Sequence, residues 1–63
     1  MDLEKLLIQM NRLITEYPQH KEGLEELYWL CIDEIEEGGS PTHECELAWS
    51  DMLDFVSYPS TNE

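Results

Sequence analysis

Basic residues are scarce in this chain: Lys and Arg together number 3 against 15 Asp and Glu, for a formal net charge of -12. Nucleic acid phosphates are held by Lys and Arg, so the balance excludes direct DNA or RNA binding and works against docking on an anionic membrane. Long apolar runs are missing too. No stretch approaches the roughly 20 residues that cross a bilayer. The opening Met1-Asp2-Leu3-Glu4-Lys5 has no basic segment leading into an apolar run and a small-residue cleavage site. The expectation is a cytoplasmic protein without a membrane partner. Cysteine is limited to Cys31 and Cys45, which a reducing cytosol would keep as thiols.

Catalytic and metal-binding patterns are equally thin. His20, His43, Cys31 and Cys45 are the only soft ligand candidates, and only His43 and Cys45 lie close in sequence. Residues two apart on a helix diverge, so no metal or other cofactor is expected. Neighbouring carboxylates such as Glu25-Glu26, Asp33-Glu34 and Glu36-Glu37 are too common here to mark an acid-base pair. Such chemistry needs a pocket that shifts pKa values, and a chain this short has little room for one. No Ser-His-Asp or Cys-His arrangement, phosphate loop or calcium loop is present, so the protein is read as not an enzyme.

What the chain does have is helical periodicity. Leu3, Leu6, Leu7, Met10, Leu13, Ile14 and Tyr17 recur at intervals of three and four, which predicts an amphipathic helix over about 2–17, stopped by Pro18. A second helix is expected over 19–37 with Leu24, Leu27, Tyr28, Cys31 and Ile35 as its core stripe. Gly38-Gly39 closes it. Gly23 lies in its first turns and weakens that end by up to about 1 kcal/mol relative to Ala. Ser40-Pro41 starts a third helix over 41–57, with Cys45, Ala48, Trp49, Met52, Leu53 and Val56 on one face and Phe55 on the flank. The expected architecture is all-α: one domain over 1–58, a small bundle of three amphipathic helices, with 59–63 as a disordered tail.

A chain of 63 residues buries only about 60% of the surface it exposes when unfolded, and this one carries more apolar surface than a thin core can hide. Leu27-Tyr28-Trp29-Leu30-Cys31-Ile32 must wrap almost completely around its helix at 3.6 residues per turn. Trp29 then points away from Leu24 and Cys31, with Leu30 and Ile32 flanking it. Leu47 falls opposite the stripe of the third helix, and Ile8 falls off the stripe of the first. Trp29, Leu30, Ile32 and Leu47 are therefore the predicted interface. Self-association relieves both the thin core and the surplus, so completion of the bundle by homodimerisation is expected. Glu22, Glu26, Asp33 and Glu37 form an acidic face on the Trp29 side, which allows an alternative: mimicry of DNA that inhibits a nucleic-acid-binding protein.

Taken from Met1-Asp2-Leu3-Glu4-Lys5-Leu6-Leu7 through Glu22-Gly23-Leu24-Glu25-Glu26-Leu27-Tyr28-Trp29 to Pro59-Ser60-Thr61-Asn62-Glu63, the chain resembles the short early proteins encoded in the exo-xis region of lambdoid bacteriophages. The resemblance spans the full length in size, acidity and helical character and carries no ligand or catalytic motif. It implies a nonessential early protein of the host cytoplasm that engages a host or phage regulator and affects host cell-cycle behaviour or the choice between lysis and lysogeny. The expected function is thus a small acidic helical protein-protein interaction module.

Overall fold

Three helices and one short turn account for the architecture of the computed structural model, which describes residues 1–57. The predicted tail, with Tyr58 and Pro59, lies outside the described residues. Helix α1 spans Leu3–Glu16, one residue shorter at each end than the periodicity suggests, because the flanking residues serve as caps. Asp2 sits in extended backbone and its carboxylate accepts from the Lys5 amide at 2.8 Å, satisfying a donor that the first turn leaves open. At the other end the Tyr17 amide donates to the Leu13 carbonyl at 2.7 Å. Tyr17 itself leaves the helical region at φ -129, ψ 66, as a residue before proline must.

The expected second helix starts later than position 19. Pro18–His20 forms a separate 3-10 turn, and α2 runs over Lys21–Glu36. Its far end is a Schellman closure. Gly38 takes φ 109 and donates to Ile35 at 3.1 Å, while Gly39 donates to Glu34 at 2.9 Å. A side chain at Gly38 would be strained in that left-handed backbone, which is why the run Glu36-Glu37 goes no further as helix. Helix α3 spans Pro41–Ser57, with the Ser40 carbonyl accepting the Glu44 amide at 2.8 Å.

All three helix pairs are in contact and α2 against α3 is the most extensive, so α3 packs on its own chain. The core is seven residues: Leu6 and Met10 from α1, Leu24 and Cys31 from α2, and Cys45, Ala48 and Met52 from α3. Each was placed on its stripe by periodicity alone. Leu7 and Leu53 were placed there too, yet both stay substantially exposed, since a three-helix bundle this small covers only the centre of each stripe.

Gly23 has a role that propensity does not show. It lies within α2, and a Cβ added there would come within 2.6 Å of the Phe55 ring Cε2. The absent side chain lets the α3 ring lie directly on the α2 backbone. His20 completes the packing, its ring centroid 4.9 Å from that of Phe55 in an edge-on arrangement favoured by aromatic quadrupoles. The 3-10 turn, the start of α2 and the end of α3 are joined at this point.

Candidate functional site

Four of the exposed apolar residues, Leu7, Trp29, Leu30 and Leu47, lie along the two flanks and the outer side of α2. Trp29 is 62% exposed and Leu30 53% exposed, the reverse of what burial of apolar area favours in a monomer. Tyr28 lies edge-on to Trp29 with ring centroids 5.8 Å apart, so the indole is supported on one side by a residue that itself packs on the core.

On the α1 side, Trp29 and Tyr28 face Leu7, Met10 and Asn11 across a groove that contains one carboxylate, Glu25. On the outer side of α2, Trp29 and Leu30 lie in a shallow depression with Glu22, Glu25, Glu26 and Asp33. On the α3 side, Leu30 joins Leu27 and Cys31 against Leu47 and Ala48, with Glu34, Glu44 and Asp51 along the same groove. A further groove between α1 and α3 holds Leu13, Trp49 and Leu53 with Arg12 and Glu16.

This geometry rearranges the residues singled out from sequence. Trp29 and Leu30 share the outer depression, whereas Leu47, 49% exposed, meets Leu30 only in the α2–α3 groove. Ile32 is half-buried and lines none of the four depressions. Contrary to expectation, it does not share the exposed surface of Trp29. Three residues from Trp29 along the helix, Ile32 is turned far enough to be partly covered. Of the predicted acidic face, Glu22, Glu26 and Asp33 surround Trp29 and Leu30, while Glu37 stands apart as the C-cap of α2. The anchor and three residues of the acidic face share one surface, as their common side of the helix implies. Leu7 and Glu25 were missed as groove residues; the i, i+3, i+4 relation of Glu25 to Tyr28 and Trp29 was the available signal.

The electrostatics are lopsided. From Glu22 to Ser57 the chain carries eleven carboxylates and no Lys or Arg. Among the described residues no α2 carboxylate makes an ion pair or side-chain hydrogen bond; the single ion pair joins the Met1 amino group to Glu46 at 3.8 Å. Charges left without partners on a rigid helix are available to an incoming cation.

Cys31 and Cys45 are both buried free thiols in the shared core of α2 and α3. Burial pushes the Cys31 thiol up to about 11, with Cys45 and then Glu44 adding to the shift. A thiol held neutral in this way is a poor nucleophile and a poor metal ligand. His43 is exposed while Cys45 is fully buried, so this close pair does not share a site. Among the described residues no group of three or more His, Cys, Asp or Glu is placed to hold a metal ion, and no helix is long and apolar enough to cross a membrane.

In comparisons with known proteins, no family model matches the chain, and neither a curated protein nor a solved structure does. The functional reading therefore rests on the grooves along α2.

Proposed function

We propose that this chain is a small acidic helical protein-protein interaction module that self-associates as a homodimer and engages a regulator through the surfaces flanking α2. The observation that carries the reading is Trp29, 62% exposed on a domain whose core is seven residues. Tryptophan is among the side chains that contribute most where protein surfaces meet. A fold with so small a core gains most from covering such a residue.

Charge selects the self-contact. A two-fold interface sets one patch against itself, so every carboxylate in it is present twice across the contact. The outer depression would bring together four carboxylates from each chain and the α2–α3 groove three, whereas the α1–α2 groove brings one. Of the depressions along α2, the one lined by Leu7, Met10, Tyr28 and Trp29 is thus the favoured dimer surface, with Glu22, Glu26 and Asp33 at its outer rim. Light scattering over a dilution series tests this directly: a dimer is expected, and Trp29→Ala shifts it toward monomer. A monomer at every concentration, or a dimer indifferent to Trp29, would remove the reading.

The resemblance to lambdoid early proteins supplies the biological setting. In it the module acts in the host cytoplasm on a host or phage regulator, altering host cell-cycle behaviour or the balance of lysis and lysogeny. Expression in a bacterial host, with growth, cell length and lysogeny frequency followed for the wild type and Trp29→Ala, is the corresponding test. No difference between the expressing and empty cells would set that setting aside. The run of eleven carboxylates without a basic residue favours one second reading, an acidic DNA mimic that occupies a nucleic-acid-binding protein. Such binding rests on exposed charge and collapses with added salt, because pairs are screened over about 8 Å at physiological ionic strength.

A further inference from the structure

In the α2–α3 groove both walls carry a full helical repeat. Leu27, Leu30, Cys31 and Glu34 stand at i, i+3, i+4 and i+7 on α2, and Glu44, Leu47, Ala48 and Asp51 stand at the same intervals on α3. Two ridges of two turns each, about 10 Å long at 1.5 Å per residue, therefore face each other. Cys31 and Ala48 are buried and form the floor, while Leu30 and Leu47, about half exposed, form the sides. Glu34, Glu44 and Asp51 stand along the groove, and no Lys or Arg lines it.

From this geometry we infer that the α2–α3 groove docks a basic amphipathic helix of another protein, with aliphatic side chains between Leu30 and Leu47 and Lys or Arg side chains against Glu34, Glu44 and Asp51. A helix laid in an apolar groove presents anchors at i, i+3, i+4 and i+7, the interval at which both walls repeat. Placing a third ridge here continues the packing of helix on helix that builds the rest of the bundle. Buried against an apolar floor, charged partners along the rim also set the direction of the incoming helix and exclude acidic ones. A second copy of this chain is a poorer occupant. Its Lys5 and Arg12 flank Ile8 on α1, on a molecule of net charge -12, and the groove residues include none from α1. Contact of those residues with the groove would join two different patches and would not close on itself. The inference rests on the interaction-module reading but uses a surface separate from the α1–α2 groove.

The test is a titration of the full isotope-labelled chain, at physiological salt, with a synthetic peptide of about 15 residues, long enough to hold a helix once bound. Its Leu residues follow the i, i+3, i+4, i+7 spacing and its remaining positions are Lys. Amide shifts are expected at Leu30, Leu47 and Ala48. A scrambled peptide of the same composition should bind at least about tenfold more weakly, and so should the wild-type peptide to Leu47→Ser. Glu34→Gln with Asp51→Asn should weaken it several-fold. Leu47 is half exposed, so Leu47→Ser keeps its fold, checked by circular dichroism and by an unchanged molar mass. Equal binding of the scrambled peptide, shifts centred on Trp29, or binding untouched by Leu47→Ser would each overturn the proposal. So would a molar mass of the free chain that falls on Leu47→Ser and on Ile8→Ser alike, since the groove would then be filled by a second copy. Trp29→Ala separates the two readings: it should dissociate the dimer and leave peptide binding in place.

Discussion

The two grooves flanking α2 are built from the same kinds of apolar side chain but differ in the charge around them. On the α1 side, the groove of Leu7, Met10, Tyr28 and Trp29 includes one charged residue, Glu25, and on the α3 side Leu27, Leu30, Leu47 and Ala48 share the groove with Glu34, Glu44 and Asp51. Apolar area supplies attraction that is indifferent to partner, whereas charge decides which partner is tolerated. A single helix can thereby serve two contacts, one with its own copy and one with a basic stranger. The contrast also predicts opposite responses to salt. Self-association of a strongly acidic chain should tighten as salt screens repulsion between copies, and capture of a basic helix should weaken as salt screens attraction.

The most damaging change should be one that removes both grooves together. Leu24 is completely buried, as are Leu6 and Met52 in the same core, and Leu24→Ala should cost about 2–5 kcal/mol, enough to unfold much of so small a domain. Urea denaturation followed by circular dichroism measures it. If stability barely changed, the core would not be what holds the grooves in place.

Next in size is an effect at the floor of the α3-side groove. The Cys31 thiol titrates near 11 in the folded chain against an ordinary 9.0, so the folded state resists deprotonation that the unfolded chain permits. Its contribution is fully present below pH 9 and is lost as pH rises toward 11. The two-unit shift sets an upper scale of about 3 kcal/mol. Denaturation midpoints between pH 8 and 11 should fall more steeply for the wild type than for Cys31→Ala. Parallel slopes would show that the thiol is not shielded as its burial implies.

On the α1 side, Trp29→Ala should weaken self-association by about tenfold or more, the scale of an interface anchor, while thermal stability moves little. An unfolded Trp29→Ala variant would instead make the indole a part of the core. The smallest effect concerns the joint between α2 and α3. Gly23→Ala should gain about 1 kcal/mol of helix propensity in a Phe55→Ala background and much less, or the opposite sign, with the Phe55 ring present. A double-mutant cycle read by thermal denaturation gives that coupling, and additivity would mean that the ring moves aside without cost.

Much of this was legible in the sequence. The three helices follow from apolar spacing, and their ends from Pro18, Gly38-Gly39 and Ser40-Pro41, because caps and breakers act within a few residues of themselves. The caps shortened the first helix at both ends and a 3-10 turn delayed the second, which shows where local signals compete. Trp29 was identified as surplus from the helical wheel, since six apolar residues in a row cannot share one face. Ile32 was grouped with it and is half-buried, because a wheel gives direction but not how far the neighbouring helices reach around.

Sequence by itself therefore determined the helices, the stripes within which the seven buried positions fall and the excess of negative and apolar surface, all properties of residues close along one chain. Tertiary structure alone decided that Trp29 and Tyr28 meet Leu7 across the α1–α2 groove, that Leu30 meets Leu47 rather than Ile32 in a groove, and that Gly23 is bare to admit Phe55. Those relations join side chains on different helices or set how deeply one helix is covered. They depend on the rotation and spacing of packed helices, which no periodicity within a single helix encodes.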